Sequence, residues 1–218
     1  NYDNICYLTS GKNSGLGIAL STINAMAYYK GYNFLLFFDQ DTGFTSSTLD
    51  YILNFCMSNE NIHQYTSITF SGDNKETTKD TYYNTQEVQL VISSGSVFVL
   101  ENAKKVGFHN IDFFVDCVDY EFCLNSSNKG YKMLKCFNTP DFDHVTEQAD
   151  KPYSFLGKTL MLRVYPMKRV TGTILAYLKL IITTIKTFNF KYFYLLSRSA
   201  IIYIMFQILA RILTIFKK

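Results

Sequence analysis

Short apolar runs alternate with polar breaks through the first part of the chain, and this pattern predicts strands and helices in succession. Residues 4–8 and 33–38 are short and apolar, which predicts a strand for each. Between them, apolar positions recur at helical spacing over 18–29, and Gly31 follows as a helix-ending residue. A strand, a helix and a strand in succession form a βαβ unit, so the first sheet is predicted to be parallel.

The elements predicted further along are shorter. Apolar positions along one face predict a helix over 47–57, and the polar residues 74–84 predict a surface loop. The remaining predicted elements are strands over 68–71, 87–92 and 131–136 and a short helix or bend over 97–107. Together these patterns predict an α/β domain.

The composition changes after residue 150, where every charged residue that interrupts the apolar runs is Lys or Arg. All eighteen Asp and Glu residues lie at or before Asp150, beside nine Lys and Arg, so residues 1–150 carry a net charge of −9. Residues 151–218 carry twelve Lys and Arg and no acid, a net charge of +12. We therefore divide the chain into an acidic domain, 1–150, and a basic apolar tail, 151–218. Such an asymmetry indicates an anionic partner for the tail.

The tail is predicted to be helical and to lie on a membrane rather than cross it. Its longest uncharged run is 199–210, twelve residues, whereas a spanning helix needs roughly 20 apolar residues. Basic, aromatic helices without acids suit the interface of an anionic bilayer. A helical cap or a dimer interface is the alternative. A nucleic-acid partner fits less well, because the bases are dispersed in apolar sequence rather than gathered in a polar stripe.

The five cysteines are odd in number and include no Cys-x-x-Cys pair. This usage predicts reduced structural thiols in a cytosolic compartment. The three histidines do not lie at zinc-ligand spacing from any cysteine, so a zinc site is disfavoured.

Candidate chemistry begins where the predicted strand 33–38 ends. Asp39 and Asp41 follow the apolar run directly, and ligands of open α/β sheets bind at the carboxyl ends of strands. A divalent cation shared between these carboxylates and a phosphate would relieve the repulsion between them. The alternative is an ordinary polar turn, since Asp and Gly are common turn residues.

Three further clusters are candidates for chemistry. They are a glycine-rich loop with Asn13, Gly15 and Gly17 followed by Asn24, the run Ser93-Ser94-Gly95-Ser96, and an apolar segment that carries Asp116, Asp119 and Glu121. A carboxylate within hydrogen-bond reach of a hydroxyl can act as its general base, and apolar surroundings would raise its pKa. The alternatives are a simple turn for the glycines and a solvated helix face for the acids.

In this order, the clusters resemble glycosyltransferase family 2, and within it the bacterial rhamnosyltransferase-like branch. The resemblance covers roughly residues 4–175. It is carried by N-x-G-hydrophobic-G, F-D-Q-D-T, S-G-S and F-hydrophobic-D-x-V-D-x-E-x-C followed by K-G-Y. It implies a GT-A fold, which is a Rossmann-like, mostly parallel sheet flanked by helices.

The resemblance also implies an inverting transfer from a nucleotide-sugar donor that depends on Mg²⁺ or Mn²⁺. Asp119 matches the family's general base, and Glu121 would orient the acceptor or support that base. The other implied positions are Asn13, Gly15, Asn24, Asp39 and Asp41 for the donor, Ser94, Gly95 and Ser96 for the acceptor, and Asp41, Asp39 and His144 for the metal.

Two departures from the family pattern are visible. Asn125 stands where the branch usually carries an Arg. The family's first strand and the Asp that reads the nucleotide base would lie before Asn1, so we expect this strand to be missing from the sheet.

The expected function is the transfer of a sugar, with rhamnose as one candidate, to a lipid-linked oligosaccharide in bacterial surface-polysaccharide synthesis, either O-antigen or capsule. The tail would hold a cytoplasmic enzyme against the inner face of the plasma membrane. The alternative expectation is an inactive, truncated remnant that binds a membrane or a partner protein.

Overall fold

The structure is a computed structural model that describes residues 5–75, 83–144, 151–155 and 158–216. It is a mixed α/β fold. The helices are α1 (Leu16–Tyr29), α2 (Ser46–Ser58), α3 (Leu100–Val106), α4 (Val118–Asn128), α5 (Met167–Lys186) and α6 (Phe190–Phe216). The strands are β1 (Phe34–Phe37), β2 (Thr42–Gly43), β3 (Tyr65–Phe70), β4 (Asn84–Val88), β5 (Ser96–Val99), β6 (Lys132–Phe137), β7 (Asp143–His144), β8 (Lys151–Phe155) and β9 (Lys158–Leu162).

The main sheet has the strand order β1-β5-β3-β6-β4. Strands β1, β3 and β6 share one direction, but β5 lies antiparallel between β1 and β3, and β4 is antiparallel to β6. Only β3 and β6 are parallel neighbours among the described strands, so the expected mostly parallel sheet is not confirmed. The reason is local. Strand β5 begins beside the end of β1, with Ser96 opposite Phe37, and therefore runs back along it.

Two predictions of secondary structure are wrong. The tail is predicted to be helical, but its first part forms the strands β8 and β9, which pair antiparallel with each other. Residues 5–8 form no strand in the described chain, and Tyr7 is 86% exposed, so the predicted βαβ unit is absent there. Four apolar residues do not make a strand without a partner to pair with. The predicted short helix or bend over 97–107 is confirmed as α3, but it begins only at Leu100, because the run Val97-Phe98-Val99 suits a buried strand and belongs to β5.

Other predicted elements are confirmed with shifted ends. Helices α1 and α2 and strands β1, β3 and β6 lie where the apolar patterns indicated. Strand β4 begins and ends several residues before the predicted 87–92. Part of the predicted surface loop, residues 76–82, lies outside the described residues.

The sheet separates two apolar clusters. Alternation along β5 and β6 directs Phe98 and Met133 into one cluster and Val97 and Leu134 into the other. Helices α1, α3, α4, α5 and α6 contribute buried or partly buried side chains to the first cluster, and α2 contributes to the second. Helices therefore cover both faces, as expected for an α/β domain.

The tail continues this core. Tyr177, Leu180, Tyr192 and Leu196 are buried in the first cluster, and the Tyr192 hydroxyl donates to the carbonyl of Cys123 at 3.1 Å. Beyond these anchors, α6 becomes largely exposed. Its segment Phe190–Thr214 is the one candidate span within the described residues, judged by length and composition, and 22% of its most apolar window is buried.

Candidate functional site

The candidate site lies where β1 ends and β5 begins. The N–H of Gly95 donates to the carbonyl of Phe37 at 2.9 Å, which brings the turn before β5 next to Asp39. Gly95 has φ +70°, and a Cβ there would lie 2.4 Å from the ring of Phe142. Both the left-handed backbone and the close ring exclude a larger residue.

Two serines link this turn to the predicted acids. Ser93 donates its hydroxyl proton to Oδ1 of Asp119. Ser94 Oγ accepts from the N–H of Asp39 at 3.0 Å and shares a hydrogen bond of 2.7 Å with Thr42 Oγ1. The structure thus brings Asp39 and Asp119 to one sheet edge, although they are far apart in sequence.

Ser96, which the motif assigned to the acceptor side, is fully buried. Its hydroxyl bonds to Thr69 at 2.5 Å and to the carbonyl of Ile92 at 2.6 Å. These bonds fix the turn in the sheet, so we assign Ser96 a structural role here. Ser93 was part of the same sequence run but was not predicted as a site residue. Its contact with Asp119 depends on the turn geometry, which no local pattern reveals.

Asp119 lies in the first turn of α4 and is partly buried. Burial raises its pKa to about 6, the negative charge of Asp39 contributes in the same direction, and the hydrogen bonds from Ser93 oppose the rise. The surrounding depression is lined by Val91, Ser93, Phe98, His109 and Phe122. A carboxylate with a pKa of about 6 is mostly ionised at pH 7. Because this pKa is close to neutral pH, the carboxylate is basic enough to accept a proton during a reaction.

His109 forms part of this apolar wall and was not predicted. Its ring stacks on Phe122 with 4.3 Å between centroids, and burial lowers its pKa to about 3. The imidazole is therefore neutral at physiological pH, and it adds no charge beside Asp119.

Glu121 is buried and faces a different set of partners. Its Oε1 accepts from Asn110 at 3.1 Å and from Asn125 at 2.7 Å, and burial raises its pKa. Its Oε2 accepts no hydrogen bond from the described residues. Glu121 thus connects the loop before α4 to the helix itself. Asn125 supplies one of the two donors.

The residues Asp39 and Asp41 flank the turn between β1 and β2. Both are exposed, and the N–H of Thr42 donates to the carbonyl of Asp39 at 3.2 Å. Strand β2 pairs with β7 so that Thr42 lies opposite His144. The backbone of His144 is therefore close to Asp41 in the sheet register, whereas its side chain lies outside the described residues.

The donor set suits a hard divalent cation. Carboxylate oxygens are the ligands that Mg²⁺ and Mn²⁺ prefer, with water and substrate phosphate completing the shell. In the described part of the chain, no three His, Cys, Asp or Glu residues lie together as a ready-made metal cluster. Asp39 and Asp41 would supply two carboxylates to such an ion, with water and substrate phosphate as its other ligands.

The glycine-rich loop is closely packed against the segment that leads to α4. A Cβ on Gly15 would lie 2.5 Å from the carbonyl oxygen of Phe114, and one on Gly17 would lie 2.3 Å from that of Phe113. The side chain of Asn13 accepts from the N–H of Gly15 at 3.1 Å. Close backbone packing thus accounts for both glycines without a bound phosphate.

Asn24 lies in the middle of α1 and is fully buried. Its Nδ2 donates to the carbonyl of Leu20 at 2.8 Å, and its Oδ1 has no partner among the described residues. Its predicted contact with the donor remains a prediction.

Comparisons of the chain with protein-family models, with curated proteins and with solved structures find no match.

Proposed function

We propose that this chain is a metal-dependent, inverting glycosyltransferase with a GT-A-like domain. It would move a sugar, rhamnose being the first candidate, from a nucleotide-sugar donor to a lipid-linked oligosaccharide in bacterial surface-polysaccharide synthesis. The observation that carries the proposal is the junction of Asp39 and Asp119 through Ser94 and Ser93. It supports a site in which both acids lie at the turn that carries these serines, where Asp39 would serve the donor and Asp119 the acceptor.

The strand directions also support a GT-A-like domain. Strands β1, β3 and β6 run the same way, so their carboxyl ends lie at the edge that carries Asp39. Ligands of α/β sheets bind at this edge. Because β5 is antiparallel to β1 and β3, the turn before it, which carries Ser93 and Ser94, lies at the same edge.

Each acid has a distinct part in the proposed reaction. Asp39 and Asp41 would hold Mg²⁺ or Mn²⁺, which stabilises the charge that develops on the diphosphate leaving group. Asp119 would accept the proton of the acceptor hydroxyl as that oxygen attacks the anomeric carbon. Attack from the face opposite the leaving group inverts the configuration. The hydrogen bond from Ser93 orients the Asp119 carboxylate for this step.

Binding of a nucleoside diphosphate tests the donor half of the proposal. We expect dTDP or UDP to bind the wild-type chain in the presence of Mn²⁺, and EDTA to abolish that binding. Asp41→Ala should weaken it by about 10- to 100-fold, because a cation ligand is lost. Isothermal calorimetry measures both affinities.

Asp50→Ala is the matched control, since it removes an exposed carboxylate from α2 and should leave the affinity unchanged. Equal affinity of the wild type and Asp41→Ala would remove Asp41 from the donor site. If neither nucleotide binds with Mn²⁺, the inactive remnant becomes the better description.

We also propose that the tail attaches the enzyme to the inner face of the plasma membrane. Exposed apolar residues form a stripe along each tail helix, and we call these two stripes the outer face. It comprises Leu175, Leu178, Ile182 and Ile185 of α5 and Ile201, Met205, Ile208 and Ile212 of α6. Exposed apolar surface of this extent is typical of an interaction site, and the net charge of the tail favours anionic lipid.

The remaining contacts of α6 support a position on the membrane rather than across it. Tyr192 is buried in the domain core. Near the other end of α6, Gln207 Nε2 donates to the carbonyl of Arg163 at 3.0 Å. Arg211 donates to the carbonyl of Tyr165 at 2.7 Å. With one side of α6 bound to protein, its exposed apolar side, which includes the outer face, is available to lipid.

Vesicle co-sedimentation tests this attachment. We expect the chain to bind phosphatidylglycerol vesicles more tightly than phosphatidylcholine vesicles, with weaker binding at high salt. Ile182→Glu should reduce binding by at least about 10-fold, because it places a charge in the lipid-facing stripe. Leu53→Glu on α2 is the matched control, since Leu53 is also exposed and apolar. Equal binding of Ile182→Glu and the wild type would contradict the assignment of the outer face.

A further inference from the structure

The carboxylate of Asp116, just before α4, is held by two side chains of α5. Arg169 donates from Nη2 to Oδ1 at 3.0 Å and from Nε to Oδ2 at 3.3 Å. The hydroxyl of Thr173 donates to Oδ2 at 2.6 Å. The guanidinium of Arg169 also lies over the ring of Tyr165, 4.3 Å from its centroid. A bidentate arginine contact fixes both the position and the plane of a carboxylate.

Asp116 stands at the entry to the helix that carries Asp119. The residue that follows it, Cys117, has φ +67° and caps α4. A left-handed backbone at a residue other than glycine is uncommon and persists where the surroundings hold it. Val118 is then buried at 1% exposure. The contacts of Asp116 with α5 therefore fix the backbone at the start of α4. Asp116 lies three residues before Asp119, the proposed base.

The rest of the tail supports the same contact. Lys179 of α5 pairs with Asp112 in the same loop at 3.1 Å. Tyr203 of α6 donates its hydroxyl proton to Thr173 Oγ1 at 3.4 Å. Both tail helices thus contribute to holding the loop before α4.

We propose that Arg169, together with Thr173, is a positioning residue that acts through Asp116 to orient Asp119. Helix α5 then belongs to the catalytic unit and is more than a membrane attachment. The inference rests on the proposed function, in which Asp119 is the base. It adds a partner from the tail to a site that the acidic domain otherwise supplies.

Steady-state kinetics test this inference with dTDP-rhamnose as the donor probe and Mn²⁺ present. Arg169→Gln should lower kcat for release of dTDP by about 10-fold and leave the donor KM unchanged, because orientation of the base is disturbed while donor binding is not. Arg169→Lys should recover only part of the rate, since a Lys ammonium cannot donate two parallel hydrogen bonds to the two carboxylate oxygens as the guanidinium does. Thr173→Val, which removes one donor with little change in volume, should lower kcat in the same way.

The decisive comparison is made in the Asp119→Asn background. A residue that acts through Asp119 has no further effect once that carboxylate is gone, so Arg169→Gln should not slow Asp119→Asn any more. Lys132→Gln is the control, because it breaks another exposed ion pair, with Glu87 at 2.6 Å, and should keep the wild-type kcat. Thermal unfolding confirms that each variant is folded.

The outcomes separate the two proposals. Equal turnover by the wild type and Asp119→Asn would overturn the base assignment and this inference with it. If Asp119→Asn is slow but Arg169→Gln keeps the wild-type kcat, only the positioning role is overturned. The same holds if Arg169→Gln slows the wild type and Asp119→Asn by the same factor.

Discussion

Replacing Asp119 with Asn is expected to slow sugar transfer by about 10²- to 10⁴-fold, the usual contribution of a general base. The amide has nearly the same shape and still accepts a hydrogen bond from Ser93, but it cannot take the acceptor's proton. Donor affinity should be unchanged, because Asp39 and Asp41 are untouched. Rates from a transfer assay and affinities from calorimetry measure the two effects separately.

The pH dependence follows from the raised pKa of Asp119. Only the ionised carboxylate accepts a proton, so kcat/KM of the wild type should rise with pH and level off above about 6. The folded-state pKa exceeds the unfolded value of about 4, so this group makes folding less favourable as pH rises from about 4 through 6. Asp119→Asn removes that cost and should gain more stability over the wild type at pH 8 than at pH 4.5.

Two results would contradict this description of Asp119. One is wild-type activity that does not change between pH 5 and pH 7. The other is a variant whose stability relative to the wild type is the same at pH 4.5 and pH 8. Thermal unfolding at the two pH values measures the second quantity and also shows that the variant is folded.

Replacing Gly17 with Ala is expected to lower the free energy of unfolding by about 1–3 kcal/mol, the range for overpacking a closely packed site. The new Cβ would lie 2.3 Å from the Phe113 carbonyl oxygen and 2.6 Å from that of Asn110. Both obstacles are backbone atoms, so a side-chain rotation cannot relieve the clash. Urea unfolding measures the change.

Gly172→Ala is the matched control for this substitution. Gly172 also lies within a helix, α5, but a Cβ there meets no described atom within 4 Å. The control should be neutral or stabilising by up to about 1 kcal/mol, since Ala favours helix. If Gly17→Ala is as stable as Gly172→Ala, close packing does not explain the glycine-rich loop, and its donor-binding interpretation gains support.

The helices and buried strands were largely predictable because their cause is local. Apolar periodicity located α1, α2, β1 and β6, each of which buries an apolar face or run. The direction of β5 was not predictable, because it depends on where the preceding turn returns the chain to the sheet. The strand over 4–8 failed for a related reason, since an apolar run acquires strand structure only from a partner.

The acids of the site could be predicted from the sequence, but the hydrogen bonds that connect them could not. The position of Asp39 at a strand end predicts its place in the site, the family resemblance implies that of Asp119, and the structure brings the two residues to one edge. The hydrogen bonds of Ser93 and Ser94 and the ion pair of Asp116 with Arg169 join distant parts of the chain. No local sequence pattern therefore predicts them. The glycines were ambiguous in principle, because phosphate contact and close backbone packing both require the absence of a Cβ.

The most direct test of the central claim is the formation of product from a nucleotide sugar, followed by mass spectrometry. The wild-type chain, incubated with Mn²⁺ and a panel of donors beginning with dTDP-rhamnose, should release the nucleoside diphosphate from at least one donor. Asp41→Ala, and the wild type with EDTA, should release almost none. Equal release by the wild type and Asp41→Ala would contradict a metal-dependent glycosyltransferase built on this site.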